Sequence, residues 1–203
     1  MANIADNDRP ASPSGTSRPS REEAEQAVRT LIAWAGDDPD REGMRDTPAR
    51  VTASYGELFA GYAQDPERIL GTIFADISGY DDMVLVRDIP LFTHCEHHMV
   101  PFFGTVHIAY LPRSGVVGLS KLVRLTEAFA RRFQTQENLT AQILNAIDTH
   151  LKPAGAAIQI EAEHMCMSMR GVRTPGTTTI TQKFSGCFNN QPELQGRFLS
   201  MIS

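Results

Sequence analysis

The sequence predicts an α+β fold with an antiparallel sheet, and the order of its elements is the main observation behind this prediction. Apolar residues recur at helical spacing before residue 80, alternate at strand spacing over 83–110, return to helical spacing over 120–151 and alternate again up to residue 184. Helices and strands therefore come in blocks. A parallel sheet would need a helix between successive strands, whereas separate blocks are typical of α+β domains.

Three helices are predicted near the N-terminus, after an arm that we expect to be disordered. Residues 1–20 are rich in Ser, Pro, Asp and Asn, and they have too few large apolar groups to offset the entropy of ordering. The first helix should end near Gly36. A capping residue followed by Glu or Pro is a local signal for a helix start. The three starts are Ser20 with Glu23, Thr47 with Pro48, and Asp65 with Pro66.

The remaining elements follow from periodicity and from capping residues. Strands alternate apolar and polar residues, and the helices end before Pro and Gly. Two strands are predicted, one from Met83 and one over 105–110, with a connecting loop over 93–104. Two helices follow, capped by Ser120 and by Thr135. The last two predicted strands cover 157–170 and 177–184.

Composition favours one folded unit without a nucleic-acid or membrane partner. The chain has 203 residues, 41% of them hydrophobic, and 19 Lys and Arg against 24 Asp and Glu, which gives a net charge of -5. Such a charge creates no positive field for polyanions. There is no apolar run near the roughly 20 residues that cross a bilayer and no secretion signal, so we expect a cytoplasmic protein. Three cysteines argue against a disulfide framework.

Two segments suggest a metal site. In the segment THCEHHMVP, residues 93–101, Cys95 and His98 have a spacing at which a tight loop can present both to one ion. The alternative is a small buried cysteine beside surface histidines. The segment HMCMSMRG, residues 164–171, is predicted to lie on a strand. One face would carry His164, Cys166, Ser168 and Arg170, and the three methionines would pack in the core on the other face.

Together the segments give Cys95, His98 and Cys166 as ligands. Two cysteines and one histidine match catalytic zinc sites that keep a fourth position for water. A structural site would need a fourth protein ligand instead. His97 and His164 could move protons beside the ion. The side chains that could close the fourth position are His94, His97, His164 and Cys187.

Two helix starts suggest a nucleotide ligand. In GLSKLVRL, residues 118–125, a helix N-terminus with Lys121 and Arg124 suits a phosphate chain, although an ordinary cap with solvated charges has the same pattern. Gln136 and Glu137 begin the next helix. A carboxylate can accept two hydrogen bonds from guanine, but this segment could also be simply another capped start.

These motifs resemble those of the GTP cyclohydrolase I family, zinc enzymes that convert GTP to 7,8-dihydroneopterin triphosphate and formate in the first step of pterin and tetrahydrofolate synthesis. The similarity runs from about Arg41 to the C-terminus. Five motifs occur in the family's order, which makes the resemblance specific. The motifs are TPAR at 47–50, CEHH at 95–98, GLSKLVRL at 118–125, QTQENLT at 134–140 and HMCMSMRG at 164–171.

The resemblance implies a role for each site residue. It makes Cys95, His98 and Cys166 the ligands of one zinc ion per chain. It makes His97 and His164 the proton carriers, without deciding which serves each transfer, and Ser120 a residue beside the ribose and phosphates. The implied guanine contacts are Gln136 and Glu137, and the implied triphosphate contacts are Lys121, Arg124, Arg170 and, from a neighbouring subunit, Arg50.

The resemblance also implies the architecture. We expect a tunnelling fold, in which an antiparallel four-stranded sheet carries two helices on one side, and a homodecamer with sites between subunits. The expected division is an arm at 1–20, a helical region at 21–80 and a catalytic domain at 81–203. Two alternatives remain open: a related pterin or deazapurine enzyme, which need not share this zinc set, and a zinc scaffold without catalysis, which would not need His97 and His164.

Overall fold

The structure is a computed structural model that describes residues 18–71, 73–74, 79–113 and 115–203. The chain divides into two compact units, Met1–Ala63 and Gln64–Ser203. Of the N-terminal arm predicted for residues 1–20, residues 1–17 lie outside the described residues. No helix in the described ranges has the length and apolarity needed to cross a membrane.

The first unit contains helices α1 (Arg21–Trp34) and α2 (Thr47–Leu58), which pack together, and a 3₁₀ turn at Ala60–Ala63. The predicted capping box is confirmed. The Ser20 hydroxyl accepts from the Glu23 N–H, and the Glu23 carboxylate accepts from the Ser20 N–H. Both bonds satisfy amide groups that the first helical turn leaves unpaired, which explains why α1 begins here.

The apolar stripes of α1 and α2 are only partly covered. No residue of α1 is buried, and Trp34 is 86% exposed. The helix cap predicted at Thr47 was wrong by one residue, because Asp46 is the N-cap of α2 and Thr47 is already helical. Other large apolar side chains exposed on these two helices are Leu31, Tyr55 and Leu58.

The second unit combines a sheet with helices and two short additions. Asp65 caps α3 as predicted, and its carboxylate accepts from the Glu67 N–H. The elements are α3 (Pro66–Leu70), β1 (Ile73–Phe74), β2 (Val84–Cys95), β3 (Pro101–Leu111), β4 (Val116–Val117), α4 (Leu119–Ala130), β5 (Phe133–Gln134), α5 (Gln136–Leu151), β6 (Gly155–His164), α6 (Met165–Ser168), β7 (Thr178–Phe184), α7 (Cys187–Asn190) and α8 (Pro192–Ile202).

The main sheet has five strands in the order β5-β2-β3-β6-β7, not the expected four. The four long strands pair antiparallel, as predicted, and the fifth is the two-residue strand β5, which runs parallel to the end of β2. Sequence patterns missed β5 because two residues carry no periodicity. A separate two-stranded sheet pairs β1 with β4.

Helices cover both faces of this sheet. Residues of α4 and α5 share one core cluster with alternate residues of the strands, among them Ile158 and Ile160 of β6. Ala157, which points to the opposite face, belongs to a second cluster with Phe188 of α7 and Phe198 of α8. Sequence analysis did not predict α7 or α8, although Pro192 at the start of α8 is a helix-start signal.

Two predicted boundaries near the site are corrected by the structure. The loop expected over 93–104 is mostly strand, because β2 runs to Cys95 and β3 starts at Pro101. The strand expected over 157–170 ends at His164, where α6 begins. Ser168 and Arg170 therefore do not share a strand face with His164. Of the methionines expected in the core, Met169 is exposed and the other two are half-buried.

At Gly104, the backbones of β3 and β6 are too close together to leave room for a side chain. A Cβ atom added there would lie 1.9 Å from the Glu161 carbonyl oxygen, which no backbone adjustment of a few tenths of an ångström can relieve. Gly196 in α8 is a matched control, because an added Cβ would meet nothing within 4 Å.

We predict that Gly104→Ala lowers the free energy of unfolding by more than about 2 kcal/mol, since the β3–β6 pairing must separate. Gly196→Ala should instead raise it by about 0.5–1 kcal/mol through helix propensity. Thermal unfolding followed by circular dichroism measures both. A Gly104→Ala protein that melts at the wild-type temperature would contradict the close approach of these strands.

Candidate active site

The turn between β2 and β3 carries the first two candidate ligands. Cys95 ends β2 and is 3% exposed. Its N–H donates to the Val100 carbonyl at 2.9 Å, and its carbonyl accepts from the Met99 N–H at 2.9 Å. Met99 adopts a left-handed conformation with φ 56°, which closes the turn. His98 lies inside this closed turn, three residues after Cys95, as the motif spacing predicted.

Sheet pairing brings the third candidate ligand to the same place. The last residue of β6, His164, is paired with Phe102 near the start of β3. Helix α6 follows immediately and carries Cys166. The ligand atoms of Cys95, His98 and Cys166 all lie within 4.8 Å of one another. Two segments far apart in the sequence thus form one group that could hold a metal ion.

This group contains three donors and not four. Within the described ranges, the donor group consists of Cys95, His98 and Cys166. His97 comes near it, with Nδ1 at 3.7 Å from the Cys95 Sγ. A four-coordinate ion on three protein ligands keeps one position for water or substrate. The candidates for a fourth ligand that lie outside the group are His94, His97, His164 and Cys187.

The electrostatics of the donors suit a cation. Burial first, and the neighbouring Cys95 second, raise the pKa of the Cys166 thiol. Two thiolates this close repel each other unless a positive ion lies between them. Arg170 Nη1 lies 3.1 Å from His98 Nε2. Because a guanidinium only donates, this contact requires a hydrogen-free Nε2 on His98, and the guanidinium occupies the lone pair of that nitrogen, so an ion bound there would take its place.

His164 is held firmly beside the donor group. Its ring stacks on Phe102 with centroids 4.3 Å apart and planes 7° apart. Its Nε2 lies 2.8 Å from the Gln136 Oε1. Burial lowers the pKa of His164, and the nearby Glu137 carboxylate opposes this with a smaller effect. The imidazole is therefore kept neutral and fixed in orientation.

Gln136 and Glu137 are neighbours at the start of α5 but face different surroundings. Gln136 is 1% exposed and hydrogen-bonded within the protein, whereas Glu137 is exposed. The Thr135 hydroxyl caps α5 by accepting from the Asn138 N–H, as predicted. Glu137 borders a pocket of about 310 Å³, which is also lined by Thr140, Ala141, Thr181, Gln182 and Lys183.

The candidate phosphate contacts of α4 lie elsewhere in the chain. The predicted Ser120 cap is wrong, because Gly118 is the N-cap and Ser120 is the second helical residue. Lys121 lies in the first turn, but Arg124 falls in the second. Among the described residues, no hydrogen bond or ion pair joins these side chains to the donor group. Arg50 lies on α2 in the first unit and forms an ion pair with Asp46 at 3.0 Å.

Two side chains that support the site were not found by sequence analysis. Phe102 stacks on His164, and Glu163 ties α6 to the loop that follows it. The Glu163 carboxylate accepts from the Ser168 hydroxyl at 2.5 Å and from the Gly176 N–H at 2.8 Å. These bonds, the first more than the second, lower the pKa of Glu163. No local motif marks either residue, because strand pairing brings Phe102 to His164 and the path of the chain after α6 brings Gly176 to Glu163.

Comparison with known proteins identifies the family. A family model described as GTP cyclohydrolase I matches residues 24–203, most of the chain. The chain belongs to the GTP cyclohydrolase I family. "GTP cyclohydrolase 1" of Allorhizobium ampelinum is 57% identical over 187 residues, which cover 92% of this chain and 93% of that protein. The protein of the same name from Brucella suis is 57% identical over 185 residues, covering 91% of this chain and 87% of that protein.

Membership of the GTP cyclohydrolase I family makes the chain a hydrolase that opens the guanine ring of GTP in pterin and folate biosynthesis. A solved structure, the apo form of the archaeosine synthase QueF-Like, aligns with a TM-score of 0.45 at 14% identity, over 53% of this chain and 96% of that chain. The assignment to GTP cyclohydrolase I does not rest on that alignment.

The donor group of this GTP cyclohydrolase I chain predicts which cysteine is needed for metal binding. Cys166→Ala removes one of three donors, so the metal content after dialysis should fall to near zero. Cys187→Ala is the matched control, because this half-buried cysteine lies outside the group. Its metal content should equal that of the wild type. Elemental analysis checks both variants. A Cys166→Ala protein that holds as much metal as the wild type would contradict the donor set.

Proposed function

We propose that this GTP cyclohydrolase I opens the guanine ring at a zinc ion held by Cys95, His98 and Cys166. The observation that carries the proposal is the convergence of these three donor atoms within 4.8 Å. Thiolate and imidazole ligands together select zinc among the common divalent ions. Three donors with no fourth among the described residues are suited to catalysis, because a structural zinc site is closed by four protein ligands.

The proposed chemistry divides between the ion and the protein. A bound zinc ion supplies Lewis acidity, which makes water acidic enough to act as a nucleophile near neutral pH. The substrate is attacked at carbon 8 of guanine, and that carbon leaves as formate after a second hydrolysis. The ribose then rearranges to a ketose, and the free amine left on the pyrimidine condenses with the ketose carbonyl, losing one water, to give 7,8-dihydroneopterin triphosphate.

We assign the proton transfers to His97 and His164. Ring opening requires protonation of a guanine nitrogen as the carbon–nitrogen bond breaks, and imidazole exchanges protons in the neutral pH range. His97 lies within the metal-binding turn, between Cys95 and His98, with Nδ1 at 3.7 Å from the Cys95 Sγ. His164 immediately precedes α6 and is buried enough that its pKa is lowered. Both therefore border the place where the donor group would hold its ion.

We assign recognition of the guanine edge to the start of α5, with Glu137 as the principal residue. Its carboxylate is exposed at the border of the pocket beside β7. A carboxylate accepts from both the ring N–H and the exocyclic amine of guanine, and adenine lacks this pair of donors. Gln136 was the second guanine contact that the resemblance implied, but its side chain is buried.

We propose that Lys and Arg side chains from more than one chain bind the triphosphate. Arg170 lies against His98, next to the donor group. Lys121 and Arg124 lie near the N-terminus of α4, together with Ser120, and in the described ranges no hydrogen bond or ion pair joins them to that group. Arg50 would come from a neighbouring subunit. An oligomer would bring these residues together, and we propose a homodecamer with sites between subunits.

Exposed apolar surface supports such an oligomer. Phe92 is 74% exposed on the sheet and stacks with Phe103 at a centroid distance of 6.4 Å. Trp34 is exposed on α1. Soluble monomers rarely leave extended apolar patches uncovered.

We further propose that 81–203 form a tunnelling-fold catalytic domain after a helical region at 21–80. We also propose that the enzyme works in the cytoplasm, where its free thiols stay reduced.

A formate assay tests the proposed function most simply. Protein supplied with zinc and GTP should release formate together with a pterin that becomes fluorescent after oxidation. A chelator should abolish both products, and added zinc should restore them. ATP serves as the control substrate and should yield no formate. Consumption of GTP without formate, or activity that survives complete removal of the metal, would exclude the proposed chemistry.

A further inference from the structure

The side chain of Gln136 is buried, and each of its polar atoms has a protein partner. Its Nε2 lies 3.1 Å from the Ile160 carbonyl oxygen and 2.8 Å from the Thr179 carbonyl oxygen. It also lies 3.2 Å from the Thr181 hydroxyl. Its Oε1 lies 2.8 Å from the His164 Nε2. This glutamine therefore connects β6 and β7 to the histidine at the end of β6.

These contacts fix which way the amide points. The carbonyl oxygens of Ile160 and Thr179 can only accept hydrogen bonds, so the atom facing them must be the amide nitrogen. The amide oxygen then faces His164. Because that oxygen also only accepts, the Nε2 of His164 must carry a hydrogen and donate it. The backbone of two strands thereby determines that Nε2 is the nitrogen of His164 that carries a hydrogen toward Gln136.

Packing fixes the ring as well as its tautomer. Phe102 is fully buried and stacks on the flat face of His164. The backbone of Gln136 is held in turn by Thr140. The Thr140 hydroxyl donates to the backbone carbonyl oxygen of Gln136 at 2.7 Å and contacts the Thr181 hydroxyl at 2.7 Å. A side chain held on this many sides has little freedom to turn toward a ligand.

We propose that Gln136 is a positioning residue for His164. It holds the imidazole with Nε2 protonated, which leaves Nδ1 as the nitrogen that exchanges a proton during ring opening. The inference rests on the proposed function, in which His164 carries a proton. It differs from the guanine contact that the resemblance implied. A side-chain contact with guanine would require Gln136 to give up its hydrogen bonds to the Ile160 and Thr179 carbonyls and to His164.

The first experiment separates positioning from substrate binding by comparing Gln136→Met with Glu137→Gln. Gln136→Met should lower kcat by about 10- to 100-fold, part of the gain that acid–base catalysis provides. Its Kd for GTP should stay within about twofold of the wild-type value. Glu137→Gln should show the opposite pattern, with Kd raised about tenfold or more because the charged acceptor is lost. Binding is measured by calorimetry in the His164→Ala background, in which turnover does not consume GTP.

The second experiment reads the tautomer without any activity. Solid-state NMR of ¹⁵N-histidine-labelled protein should show one imidazole with protonated Nε2 and unprotonated Nδ1 that disappears in His164→Asn. The same signal should shift or broaden in Gln136→Met. If Gln136→Met does not fold, the wild-type signal still tests the hydrogen bond, because the Nε2 of His164 must carry the hydrogen that the Gln136 Oε1 accepts.

Two results would overturn the inference. One is a Gln136→Met protein in which the Kd for GTP rises as it does in Glu137→Gln while kcat is kept. The other is a wild-type His164 signal with protonated Nδ1 and bare Nε2. Failure of the proposed function has a different signature, namely wild-type protein that releases no formate, and the NMR signal still decides the hydrogen bond in that case.

Discussion

The pairing of β3 with both β2 and β6 is the constraint on which the site depends. His94 of β2 is paired with Pro101, and His164 of β6 is paired with Phe102. The ends of β2 and β6 therefore lie on either side of the start of β3. Cys95 ends β2, and the helical turn after β6 carries Cys166, so strand register brings the two thiols together. A slip of one residue in either pairing would move every side chain to the opposite face and separate them.

A metal ion would change the electrostatics of this arrangement. Burial first, and the nearby Cys95 second, raise the pKa of the Cys166 thiol. The charge of a bound ion has the opposite effect, because it stabilises thiolates, and its binding would tie the turn to α6. Residues outside the donor group hold the segments next to the donors through hydrogen bonds. Glu163 anchors the loop after α6, and Gln136 anchors His164.

Most local signals in the sequence were reliable, whereas most contacts between distant segments were not predicted. The caps at Ser20, Asp65 and Thr135 were confirmed because a capping bond spans only two or three residues. The strand predicted over 157–170 was confirmed as far as His164 and wrong beyond it, because alternation cannot distinguish a strand end from one helical turn. Ser120 looked like a cap only because serine favours that position. The burial of Gln136 could not be predicted, since its partners come from β6 and β7.

The motif spacing nevertheless predicted the three donors that the sheet brings together, because the chemistry of an ion restricts which residue types can surround it. X-ray absorption at the zinc edge tests this central claim most directly, since it reports the atoms bound to the ion in the intact protein. The account predicts two sulfur atoms at about 2.3 Å and lighter atoms at about 2.0–2.1 Å, with a total near four. A spectrum with three or more sulfur atoms, or with one or none, would contradict it.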